Sequence, residues 1–136
     1  MKRTRCAKLA PTIIRRLQAL LGLQHWRIDL VIGKCSELGT QAEVSILHEY
    51  CRGHLTVDPD TITDPRELLT VLSHELLHLA LSNLEAWSVQ LDAALAEEAA
   101  LRRTLQVSLI QCVERSVVQL ESAIVGLYVL THGEPE

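Results

Sequence analysis

In "VLSHELLHLAL", residues 71–81, two histidines and a glutamate stand inside a run of leucines. Positions four apart share one face of a helix, about one turn apart. His74 and His78 can therefore both aim a ring nitrogen at a point about 2.0–2.1 Å from each, the reach of a zinc–imidazole bond. Glu75 lies roughly 100° round the helix from His74. It is badly placed to be a third ligand there, but well placed to take a proton from water at the metal. This is the H-E-x-x-H pattern, with Glu75 as general base and His74 and His78 as ligands. The competing reading is a satisfied polar cluster on a core helix. Burying three such groups without a partner is costly, which favours the metal.

Catalytic zinc keeps three protein ligands and one open position. No histidine follows at close spacing, since residues 81 and 84 are leucine, and His132 lies in the tail. Glu85, Glu97, Glu98, Glu114 and Glu121 compete for the third place. Glu85 lies two turns beyond His78 and reaches the ion only if the chain bends near Asn83. Glu98 follows His78 at a thermolysin-like interval, but within a charge-laced stretch, "LAEEAALRR". Glu114 is flanked by Ile110, Val113, Val117 and Val118, and a carboxylate in apolar surroundings calls for a cationic partner. Glu114 is therefore the preferred third ligand and Glu98 the runner-up. Cys112, two residues before it, points elsewhere on a helix and reads as core.

The remaining chain must position these groups. "TIIRRLQALL" after Pro11 predicts a helix ending near Gly22, and "WRIDLVI" alternates as a half-buried strand. "QAEVSILHEY" and "RGHLTVD" predict two more strands, read as antiparallel because the connections are short. In "DPRELL", Asp64 suits a helix N-cap, Pro65 the first turn and Glu67 the capping box. Neither Gly nor Pro occurs from Arg66 to Val125. That stretch is predicted as helix, broken near Ser82-Asn83 and continuing as one or two long C-terminal helices. The fold class is thus α+β: an N-terminal helix, a small three-stranded antiparallel sheet, the H-E-x-x-H helix and the C-terminal helices. Residues 1–136 form one domain, with 1–8 and 131–136 as loose tails.

Composition narrows the function. The chain has 48% hydrophobic residues and only 3% aromatic ones, with no Phe, so its core is aliphatic. A formal net charge of −4 argues against nucleic-acid binding. No stretch is long and apolar enough to span a membrane, and Pro11, Arg15 and Arg16 interrupt any signal sequence after "MKRTR". Four scattered cysteines without a C-x-x-C pair fit reduced thiols in a cytoplasm.

"VLSHELLHLAL", followed by a polar helix and "VERSVVQL", resembles the minimal gluzincin-like zinc metallopeptidases encoded mainly by phages and prophages. Glu114, Val117 and Leu120 match the E-x-x-V-x-x-L context of that group's third ligand. His74 and His78 match its first two ligands and Glu75 its base. "WRIDLVI" and the sheet extend the similarity over most of the chain. The resemblance implies a minimal zincin-like fold, a Zn2+ cofactor, a peptide or protein substrate, and a bacterial host cytoplasm if the gene is phage-borne.

The expected activity is hydrolysis of peptide bonds by metal-activated water. In zincins an extended substrate commonly adds to an edge strand beside the active helix, and residues 52–57 are the candidate edge. His54, Tyr50, His48 and Tyr128 are candidates for stabilising an oxyanion. A non-catalytic zinc-binding regulatory protein is the first alternative, although a structural site has no need of Glu75. A zinc hydrolase of another amide bond is the second. A protease of DNA-bound proteins would want a third histidine and a basic surface, and the sequence has neither.

Overall fold

The structure is a computed structural model describing residues 1–94 and 99–136, with residues 85–89, 91–92 and 94 described by their backbone alone. The element order is α1 (Arg3–Leu20), β1 (Arg27–Ile32), β2 (Ala42–Leu47), a short 3-10 turn (His48–Tyr50), β3 (Arg52–Val57), α2 (Pro65–Ala94) and α3 (Ala99–His132). The α+β class expected from the sequence is present.

The sheet departs from expectation. Its order is β1-β3-β2, with β1 parallel and β2 antiparallel to β3. A purely antiparallel sheet assumes that strands adjacent in sequence are neighbours in space, which is only a majority rule. Here residues 33–41 carry the chain past one strand position. β2 is laid on the far side, and β3 turns back into the gap. Cys51, at φ 46°, occupies the left-handed conformation that closes this return. Residues 52–57, expected at an edge, are therefore the central strand, and the edges are β1 and β2.

α2 buries Leu68, Leu69, Leu72, Leu76 and Leu79, all at most 1% exposed, in the core it shares with the sheet and α1. The approach at Gly53 is close: a Cβ there would meet Leu79 Cδ2 at 3.1 Å. The start of α2 is capped as its sequence suggests. Asp64 Oδ1 accepts the Glu67 amide at 2.9 Å, and Glu67 Oε2 reaches back to the Thr63 amide at 2.7 Å. The break expected at Ser82-Asn83 is absent, and α2 runs through it. Ser82 is 2% exposed, so the body of the protein holds the helix where local propensity is weak.

α1 begins at Arg3 rather than after Pro11, which lies inside the helix. Cys6 and Ala10 are fully buried, and their burial holds the turn whose hydrogen bond the proline lacks. Residues 1–8 are therefore not a loose tail, and the Met1 amino group donates to the Pro59 carbonyl at 2.8 Å. At the other end α3 extends to His132, and beyond it Glu134 pairs with Arg66. Residues 99–132 form a single helix. Among the described residues, no helix is long and apolar enough to cross a membrane.

Candidate metal centre

Two helices and one strand build the site. His74, Glu75 and His78 project from α2 beside the row of leucines that anchors it to the sheet. α3 runs antiparallel against the same helix, held by Val113 and Val117 packed on Leu77. Glu114 and Glu121 are seven residues apart, two turns on one face of α3. The antiparallel packing brings Glu121 to His74 and Glu114 to His78.

The distances define the cluster. His74 Nε2 and His78 Nε2 are 3.3 Å apart. Glu114 Oε1 lies 3.6 Å from His78 Nε2. One ligand atom from each of His74, His78 and Glu114 can be chosen so that all lie within 4.8 Å of one another. A tetrahedral ion with arms of about 2.0–2.1 Å separates two ligand nitrogens by about 3.3–3.4 Å. The imidazole pair matches that edge. Two nitrogens, one carboxylate and an open side form a donor set suited to a divalent cation of the zinc type.

Glu121 has a different part from Glu114. Its Oε2 lies 3.0 Å from His74 Nδ1, the ring nitrogen turned away from His78. With the ring proton on Nδ1, donated to this carboxylate, Nε2 is left with its lone pair facing the ligand cluster. The Glu121 side chain is 22% exposed against 52% for Glu114. This reverses the expectation that Glu114 is the most deeply set carboxylate: Ile110 and Val118, which flank it, are 62% and 58% exposed. From the sequence alone Glu121 is only a rival ligand. The signal that finds its orienting place is the seven-residue interval, which puts Glu121, Ile124 and Leu127 in the same pattern as Glu114, Val117 and Leu120.

Glu75 faces the other way, toward β2. Burial pushes its carboxyl up to about 7. The His74 charge and a hydrogen bond from the Val44 backbone oppose that rise, while Glu114 and Glu43 add to it. A cleft of about 460 Å³ opens here, lined by Gly39, Gln41, Ala42, Thr70, Val71, His74, Glu75 and Glu121. One of its walls is thus the start of β2, an edge strand.

Other expected residues lie elsewhere. His54 sits beside Asp29 at 3.6 Å, on the sheet face opposite to α2. Tyr128 is 1% exposed and accepts a hydrogen bond from Arg16 at 3.2 Å. Tyr50 is 75% exposed on the 3-10 turn, and His48 stands edge-on to Trp26 with centroids 6.3 Å apart. None of the four lines the cleft at His74. Cys112 is exposed rather than core. Glu97 and Glu98 lie outside the described residues, as does the side chain of Glu85.

No family model, curated protein or solved structure matches this chain.

Proposed function

We propose that the protein is a zinc-dependent peptidase in which His74, His78 and Glu114 hold the metal and Glu75 is the general base. One observation carries this reading: two imidazole nitrogens 3.3 Å apart share a site with a carboxylate from another helix, and a half-buried glutamate adjoins them. Zinc in such a site supplies Lewis acidity, making water a nucleophile near neutral pH and polarising a carbonyl.

The chain's own residues supply the rest. Glu121 holds the His74 proton on Nδ1 and so keeps Nε2 available. Glu75, beside the histidines, would accept a proton from water and pass it to the departing amine. A cation on the neighbouring histidines would draw that carboxyl downward again and keep it ionised. The cleft sets Glu75 beside Ala42 at the start of β2. An extended peptide adding to that strand would pass its backbone along the cleft, so β2 replaces residues 52–57 as the docking edge. The metallopeptidase group that the sequence resembles uses the same combination of groups, and this agrees with the reading.

The test is proteolysis of an unfolded protein substrate by zinc-loaded wild type and Glu75→Gln. Cleavage that is abolished by a chelator, restored by zinc and lost in a Glu75→Gln variant still holding its zinc supports a peptidase. Zinc binding with no cleavage by wild type of any unfolded substrate favours a regulatory zinc protein instead.

A further inference from the structure

We propose that Gln41 is a positioning residue for the reaction, its side-chain amide strapping the start of β2 to the first turn of α2. The strap sets the docking edge at a fixed place along the helix that carries His74 and Glu75. This rests on the peptidase reading above and names the residue that holds the substrate's strand against the site. Gln41 is the last residue before β2 and lines the cleft with Ala42, His74 and Glu75.

Three hydrogen bonds hold this half-buried residue. Its amide nitrogen donates to Glu67 Oε1 at 2.7 Å and to the Thr61 carbonyl at 3.2 Å. Its own main-chain carbonyl accepts the Asp58 amide at 2.8 Å. The bond to Glu67 is charge-assisted, the shorter and stronger kind. The second oxygen of Glu67 accepts the Thr63 amide and the Thr63 hydroxyl, each at 2.7 Å. The carboxylate is thus gripped from both sides and cannot follow Gln41 without opening the cap of α2.

Nothing else ties the edge in this way. Among the described residues, no other side chain from residues 33–47 hydrogen-bonds to α2: Ser36 is held by Glu43, and the Cys35 thiol donates to the Thr56 carbonyl, within loop and sheet. Buried Ala42 and partly buried Val44 and Ile46 pack in the core. Apolar contact has no direction, so it holds β2 close without fixing where it stands along α2. The Gln41–Glu67 bond does fix it. Glu67 and His74 are seven residues apart, two turns on one face of the helix, so α2 carries the position of Glu67 rigidly to the histidines. A peptide paired with β2 inherits that placement, and a misplacement of about 1 Å at reacting groups can cost on the order of 10²-fold in rate.

The test reads fluorescence anisotropy of a labelled peptide of roughly ten residues, long enough to span the 6 residues of β2, on zinc-loaded Glu75→Gln protein. Adding Gln41→Ala should weaken peptide binding by about tenfold or more, the scale of one hydrogen bond to a charged group. Zinc affinity, read by competition with a chromophoric chelator, should stay unchanged. On the same peptide, kcat/KM of Gln41→Ala alone should fall by about 10–100-fold. Gln41→Glu sets two carboxylates together and should also lose binding. The exchange Gln41→Glu/Glu67→Gln, which reverses donor and acceptor, should recover part of it, and this pair decides the matter if Gln41→Ala does not fold. Peptide binding indifferent to Gln41→Ala overturns the strap. So does a parallel loss of zinc affinity, the mark of a general loosening of α2, or an exchange variant no better than Gln41→Glu. A Glu75→Gln protein that holds zinc but binds no peptide overturns the peptidase reading and the strap together.

Discussion

Glu121 and His74 are joined at 3.0 Å through Nδ1, on the side of the ring away from His78. A carboxylate behind a ligand imidazole fixes its tautomer and raises its basicity, and losing one costs about 10–100-fold in metal affinity. Glu121→Ala should weaken zinc binding by that factor in competition with a chromophoric chelator, while Glu121→Gln, which keeps an acceptor oxygen, recovers part of it. Unaltered affinity in both variants would remove Glu121 from the site.

Glu75→Gln separates binding from chemistry. The amide is nearly isosteric and Glu75 is not among the proposed ligands, so zinc stoichiometry should hold. Proteolysis should fall by about 10²–10⁴-fold, the usual contribution of a positioned base. A substantial residual rate in a metal-replete variant would assign the base elsewhere.

The cap at the start of α2 predicts both a stability and a pH dependence. Asp64→Ala should cost about 1 kcal/mol, as loss of an N-cap does. Hydrogen bonds from the Thr63 amide, the Thr63 hydroxyl and Gln41 hold the Glu67 carboxyl below its usual range. A carboxyl depressed in the folded state stabilises fully above its unfolded pKa, and that stability is lost as pH falls through the lower folded value. Thermal melts from neutral to acid pH should show wild type losing stability below about pH 4.3, the unfolded glutamate value. Glu67→Gln should be less stable at neutral pH and flatter in acid.

Gly53 tests how α2 is seated on the sheet. Its neighbour Leu79 follows His78 directly and is 1% exposed, so the leucine has little room to yield to a new methyl group at 3.1 Å. Gly53→Ala should destabilise by about 1–3 kcal/mol in urea titration, the range for overpacking a core. A neutral result would show that α2 can shift on the sheet without penalty.

Local chemistry made much of this legible. The alternation in β1 and β2, the Asp64 cap and the His74–Glu75–His78 spacing are consequences of strand and helix geometry acting over a few residues. The failures are tertiary. Pro11 suggests a helix start, and only the burial of Cys6 and Ala10 explains why the helix begins earlier. Ser82-Asn83 suggests a break, and Ser82 is instead buried within an unbroken helix. Strand order depends on where residues 33–41 lead, which no local pattern states. The apolar neighbours of Glu114 suggest a deep-set carboxylate, yet it is the more exposed of the two facing the histidines. It reaches His78 because α3 runs antiparallel to α2, and the same register reveals Glu121.

Metal analysis of the purified chain tests the central claim most directly, comparing wild type with His78→Ala and Glu114→Ala after dialysis against zinc-buffered solution. The account predicts one zinc per wild-type chain, none in His78→Ala, and strongly reduced occupancy in Glu114→Ala. Zinc-free wild type, or occupancy that survives His78→Ala, would contradict it.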